Sequence, residues 1–211
     1  MKITKLGHCC MLIEENGVRI LTDPGAWTTA QLDVRDIHVI LFTHEHADHF
    51  HLDSLKIVLQ HNPDARIYTN KSVGALLEKE GLSYQILDDG TKEVIKGVSL
   101  NAFGEKHAIV YPTVEPVENT GFLIGDRFFY PGDAFIIPQS TVEILALPIA
   151  GPWMKLSEAV DYAKQLSPRI TFPVHDGMLQ PVAWLHNSYA KFLGDFGLKF
   201  EIIADGVENN W

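Results

Sequence analysis

Cysteine, clusters of basic residues and long apolar runs are all scarce in this 211-residue sequence, and each scarcity removes a class of protein. The only two cysteines are neighbours, Cys9 and Cys10. Successive strand side chains point to opposite faces, so a disulfide between them is disfavoured, and no CxxC metal pair exists. The expectation is one buried and one partly exposed thiol in a reducing compartment. No window approaches the ~20 apolar residues that span a bilayer. The opening MKITKLGHCC meets polar residues too early for a signal peptide. A cytoplasmic chain with no membrane partner is therefore expected. Lys and Arg number 17 against 27 Asp and Glu, giving a formal net charge of -10. Binding to phosphate backbones rests on cation contacts and counterion release, so nucleic acid is a poor partner. A small molecule is the expected one, and Lys106 and Lys155 are the cations placed to meet it if it is anionic.

What is present reads as one globular domain over residues 1–211. Hydrophobic residues make up 46% and charged residues 21%, which separates the chain from disordered sequences. Residues 2–6 and 9–15 alternate, Asn16-Gly17 is a hairpin turn signal, and 18–23 returns as a third strand. HVILF (38–42) is a short continuous apolar run of the kind covered on both faces. Helical spacing follows from Leu52 to about Gln60, then a strand (66–69), a helix (71–80) and a strand (84–87). Further strands are expected through Phe103, then at 106–111, 119–124, 127–131 and 143–148. Helix 156–166, strand 170–174, helix 181–194 and strand 199–203 complete the series. Alternating strands and helices in each half predict an α+β architecture: two mixed sheets packed together with helices outside, a four-layer αββα sandwich.

The chemistry concentrates in Thr43-His44-Glu45-His46-Ala47-Asp48-His49. Three imidazoles and an aspartate follow a buried-type strand and precede a helix. Imidazole nitrogens and carboxylate oxygens are the ligands that zinc and similar ions accept. Residues i and i+2 of extended chain face the same way, so His44 and His46 can reach one ion together. The bend into the helix can send Asp48 and His49 to a second. Leaving such a cluster buried and unpaired would cost several kcal/mol. His38, His51, His61 and His186 lie apart from it and are assigned no role. His8-Cys9 is the nearest approach to a Cys/His dyad, but strand neighbours point apart. His8 remains a candidate for the layer around the site.

HxHxDH after a strand resembles the signature of the metallo-β-lactamase superfamily, and the remaining motifs occur in order: Asp23 in LTDPG, His107 in GEKHAIVYP, Asp133 in YPGDA and His175 in TFPVH. The resemblance covers nearly the whole chain and implies the metallo-β-lactamase fold. It also implies that His44, His46 and His107 bind one divalent ion and Asp48, His49 and His175 another. Asp133 would bridge the two, together with a hydroxide that attacks the substrate. Asp48 and Asp133 would then be the carboxylates at the reacting centre, and Asp23 would support the metal loop. The implied cofactor is two divalent ions, zinc foremost, with manganese or iron as alternatives. GHCCMLIEENGVRILTDPG and the stretch from LPIAGPWM to FPVHDG resemble the ascorbate-6-phosphate lactonase-like branch. Asp176 departs from it, since many relatives carry an aromatic residue after the last His.

His46 stands where flavodiiron reductases of this superfamily have Glu, and 211 residues leave little room for the helical substrate domain of glyoxalase II-type thioesterases. The expected activity is hydrolysis of a small ester, lactone or phosphodiester. The alternatives are a mononuclear-iron oxygenase on the same fold and a metal-binding protein without catalysis.

Overall fold

The computed structural model describes residues 1–211. Strands β1 (Lys2–Gly7), β2 (Cys10–Glu15) and β3 (Val18–Thr22) form an antiparallel meander. Asn16 and Gly17 both turn at positive φ, 47° and 75°, matching the right-handed twist of the flanking strands. Beyond β3 the connections become crossovers and the pairing parallel: β4 (Val39–Leu41), β5 (Arg66–Thr69) and β6 (Gln85–Ile86) follow in turn. Helices α1 (Leu52–His61) and α2 (Lys71–Lys79) supply the last two crossovers.

The second sheet begins as a meander of β7 (Lys92–Ile95), β8 (Val98–Phe103), β9 (Gly121–Ile124) and β10 (Phe128–Tyr130). It ends with β11 (Ile144–Pro148) and β12 (Ile170–Val174) in parallel, joined through α3 (Leu156–Leu166). Helix α4 (Ala183–Gly194) follows, and β13 (Glu208–Asn210) returns to the first sheet beside β1. The strand orders are β13-β1-β2-β3-β4-β5-β6 and β12-β11-β10-β9-β8-β7.

Side-chain alternation divides the interior into three cores. Met11 and Ile13 of β2, with Ile144 and Ala146 of β11, point into the core between the sheets. Leu12 of β2 points the other way, onto Leu55, Val58, Val73 and Leu77 of α1 and α2. Leu145 and Leu147 of β11 likewise meet Ala159, Ala163, Leu185 and Tyr189 of α3 and α4. The order helix, sheet, sheet, helix is the expected αββα sandwich.

Several local expectations are corrected. Both cysteines are buried, each 1% exposed: Cys9 precedes β2 and enters the inter-sheet core, while Cys10 lies under the helices. Residues 106–111 form no strand, only a single bridge between Lys106 and Glu118. Backbone NH groups there are committed elsewhere: His107 N to Val117 O, and Ala108 N to Asp133 O. Residues 199–203 likewise contribute one bridge, Phe200 to Thr171. β13 has no apolar alternation, and its pairing with β1 overrides a weak local preference.

Candidate metal centre

β4 is buried along its whole length, so the chain leaves it at a fixed point and direction. The next residues turn tightly, with His49 N and Phe50 N both bonded to His46 O. His51 then caps α1 by accepting from Ser54 N. Asp23, just past β3, is completely buried and holds this turn from below. It accepts from Thr43 N at 2.8 Å, Thr43 Oγ1 at 2.6 Å and Tyr130 Oη at 2.6 Å, and it faces His49 Nδ1 at 2.8 Å.

This network sets which ring nitrogen each histidine turns inward. His49 Nδ1 donates to Asp23, so Nε2 is the nitrogen turned towards Asp133 and the one that can offer a lone pair to an ion once its proton leaves. The Thr43 hydroxyl spends its proton on Asp23 and therefore accepts from His44 Nδ1 at 3.0 Å, which frees His44 Nε2. His107 Nδ1 donates to Ala108 O, with the same result. Fixing a ligand ring through its far nitrogen is the usual support for metal-binding histidines.

The seven residues singled out by the sequence come together from four places in the chain. His44 Nε2 lies 3.1 Å from His46 Nδ1, and the His107 ring centroid is 5.1 Å and 4.8 Å from those of His44 and His46. On the other side, His49 Nε2 and His175 Nε2 lie 3.7 and 3.5 Å from Asp48 Oδ2. Asp133 sits between the two sets. Its Oδ1 is 3.2 Å from His49 Nε2, and its Oδ2 is 2.8 Å from His175 Nε2 and 3.4 Å from His107 Nε2. Asn119 Oδ1 accepts from Asp133 N at 3.0 Å, and Trp153 Nε1 donates to Asp133 Oδ2 at 3.1 Å. Gly132 approaches so closely that a Cβ there would fall 2.4 Å from Asn119 Oδ1.

Burial and charge make this cluster unsettled without a cation. Burial pushes the His44 imidazole well below its usual range, and the facing His49 adds to the effect. His49 and His175 go the other way. Burial opposes their charge, yet Asp133 holds both protons, raising His175 to about 10. Asp133 itself is held well below the carboxylate range, against its burial, by His49 and His175. Two imidazolium protons thus stand in for positive charge that a metal would bring. His49 Nε2, Asp133 Oδ1 and His175 Nε2 are buried without a hydrogen-bond partner, an arrangement that costs free energy unless something fills it. Clusters of His44, His46 and His107, and of His44, His49 and Asp133, each have ligand atoms within 4.8 Å of one another. The donor set fits divalent ions of the zinc type.

A pH dependence follows. His175 is raised above its unfolded value of 6.5, so in the ion-free chain its pairing stabilises fully below about pH 6.5 and is lost towards pH 10. Ion binding must displace the same proton, so uptake is expected to release acid at neutral pH and to weaken as pH falls. Titrating zinc into a weakly buffered ion-free sample while recording pH checks this. Uptake with no proton release would contradict it.

Three participants were not singled out by sequence, and a fourth, His8, was expected only as a candidate for the layer around the site. His8 lies 2% exposed, with Nε2 3.1 Å from Asp48 Oδ2. Its place at the end of β1 was the available signal. Asn119 and Trp153 carry no motif, because the fold alone brings them to Asp133. His186, set aside as an isolated histidine, donates or accepts at 2.8 Å with Asp176 Oδ2, while Lys5 Nζ meets Asp176 Oδ1 at 2.5 Å. Asp176 is therefore turned into a buried triad joining β1 to α4. The two lysines proposed for an anion are engaged elsewhere: Lys106 with Glu115 at 3.4 Å and Lys155 with Glu158 at 3.6 Å. The other isolated histidines do local work, His38 accepting from Arg19 N and His61 facing Leu32 O.

Comparison with known proteins gives the same outline. Among curated relatives, the chain is 35% identical over 188 residues to Protein Rv0786c of Mycobacterium tuberculosis, covering 87% of each. It is 28% identical over 198 residues to a UPF0173 metal-dependent hydrolase of Methanosphaera stadtmanae, covering 83% of each. Among solved structures, Igni18, a metallo hydrolase from Ignicoccus hospitalis, superposes with a TM-score of 0.80 at 22% identity, over 100% of this chain and 98% of that one. Residues 2–175 match the model of the beta-lactamase superfamily domain. That match ends on the last of the seven clustered residues, and with the αββα layering it places this chain in the metallo-β-lactamase superfamily.

Proposed function

We propose that the chain is a metal-dependent hydrolase that cleaves a small ester or lactone with two divalent ions, zinc foremost. The observation that carries this reading is Asp133, a buried carboxylate with imidazoles of two separate sets around its two oxygens. His44, His46 and His107 would hold one ion, Asp48, His49 and His175 the other, and Asp133 both. Bound there, such ions lower the pKa of water and polarise a carbonyl or phosphoryl oxygen.

The chain's own groups prepare the site for that chemistry. Asp23 and Thr43 aim His49 and His44, and Trp153 and Asn119 hold Asp133 in place. No side-chain nucleophile is needed: Cys9 has its Sγ within 4.8 Å of ligand atoms of His8, His49 and His175, but it is 1% exposed and packed in the inter-sheet core. Trp27, half exposed, sets its indole 4.6 Å from the His8 ring, tilted by 49°, and adds apolar surface beside it. Because Lys106 and Lys155 are paired with acids and Lys5 is buried against Asp176, no free cation among them meets an anion. This favours an uncharged acyl substrate over a phosphodiester.

The test compares kcat/KM for a lactone panel, simple esters, a chromogenic phosphodiester, a β-lactam and single-stranded RNA on one zinc-loaded preparation of measured metal content. Lactones or esters are expected to lead. Preference for RNA or the β-lactam by more than about tenfold, ~1.4 kcal/mol in transition-state stabilisation, overturns the substrate assignment. A single iron per chain with no hydrolysis would favour oxygen chemistry instead.

A further inference from the structure

We propose that His8 is a positioning residue for the second ion: it hydrogen-bonds Asp48 from outside and ties it to the loop that carries His175. This rests on the two-ion reading above.

The geometry selects one role for the ring. Gly177 N donates to His8 Nδ1 at 3.2 Å, so that nitrogen must present a lone pair. The ring proton then sits on Nε2, which points at Asp48 Oδ2, 3.1 Å away. In this arrangement Nε2 is a donor and has no lone pair for a metal, so His8 is no ligand. Nor is it placed to act as an imidazolium acid, since a proton on Nδ1 would confront the Gly177 NH. What it can do is donate to Asp48, restrict the carboxylate's rotation and leave its other lone pairs for the ion. Hydrogen bonds of this kind around a metal site typically change affinity by about 10–100-fold.

The backbone supports the assignment. His8 O accepts from His175 N at 3.3 Å, so main chain and side chain of His8 both grip residues 175–177. His8 and His175 both adopt positive φ, 49° and 60°, an uncommon state for residues with a Cβ. Such departures persist only where surroundings enforce them. The His8 ring is packed between Trp27, at 4.6 Å, and His175, at 4.4 Å between centroids. His8 thus joins two ligand-bearing segments, one from each sheet, that share no strand.

The experiment is a chelator-competition titration of zinc into ion-free wild type, His8→Ala, His8→Gln and Gly177→Ala, with circular dichroism recorded on each. Wild type is expected to bind two ions. His8→Ala should bind the second about 10–100-fold more weakly while the first is unchanged. His8→Gln, which returns an NH donor near the Nε2 position, should recover most of the loss. Gly177→Ala tests the same link without removing the ring, since its Cβ would lie 3.1 Å from His8 Cβ and 3.2 Å from its Nδ1, pressing the ring away by a few tenths of an ångström. It too should weaken the second ion selectively, and it keeps the inference testable if His8→Ala fails to fold. Wild-type affinity for both ions in His8→Ala, or in Gly177→Ala where His8→Ala does not fold, overturns the role of His8 and leaves the two-ion reading intact. Equal weakening of both ions also overturns it, as that marks general loosening. A wild-type chain that takes up fewer than two ions overturns the two-ion reading and this inference together.

Discussion

Asp133→Ala is expected to abolish hydrolysis, with kcat/KM falling at least about 1,000-fold, a loss of ~4 kcal/mol in transition-state stabilisation. The substitution removes the carboxylate that faces both imidazole sets and leaves Trp153 Nε1 buried without its acceptor. His49 and His175 lose the charge that organises them. Elemental analysis on the same sample should show that at least one ion is lost. His107→Ala should be similarly inactive, because its Nε2 has no substitute among the neighbouring groups. His61→Ala, exposed at the end of α1 and bonded only to Leu32 O, should behave as wild type. Activity in a folded Asp133→Ala protein comparable to wild type would refute the mechanism.

Gly25→Ala is expected to be the most disruptive change of a single methyl group. A Cβ at position 25 would lie 1.9 Å from the Asp48 carbonyl oxygen and 2.7 Å from His49 N. Neither neighbour is a flexible side-chain tip, so the backbone bearing Asp48 and His49 must move. Overpacking usually costs about 1–3 kcal/mol, and a clash of backbone against Cβ belongs at or above the upper end. Ala26 N to Ala47 O, 2.8 Å in the wild type, anchors the same contact and would be strained with it. Thermal unfolding of the ion-free protein and zinc titration measure the two consequences separately. A wild-type melting temperature together with wild-type zinc uptake would show that the contact matters less than its geometry implies.

Legibility from sequence followed the range of the interactions involved. The HxHxDH cluster could be read because its members are adjacent and because a buried strand, HVILF, announces where they emerge. Asp23, Asp133 and His175 were found through motif order and not through any local pattern. The layers were legible from alternation in segments such as Cys10–Glu15 and Ile144–Pro148, where each face meets a different core. The failures share a cause. Residues 106–111 look like a strand, but Asp133 O and Val117 O claim the backbone NH groups that a ladder would use. β13 looks like a polar tail, yet pairing with β1 makes it a strand. His186 looks like a stray histidine and His8 could be placed only in the layer around the site, because their partners lie 10 and 40 residues away. Each was decided by contacts that no local window contains.

The side chains of the candidate centre are rooted in both sheets, His44 to His49 beyond β4 and Asp133 and His175 beyond β10 and β12. A cation shared among them would act as a rivet at one end of the inter-sheet core. Parting the sheets there means surrendering it, so its binding free energy adds to the free energy of that local opening. The opposite end of the sandwich is held by apolar contact, strand pairing and scattered polar contacts such as Trp211 Nε1 to Glu201 at 3.3 Å. Loaded and stripped protein should therefore differ less in how they fold than in which end breathes first.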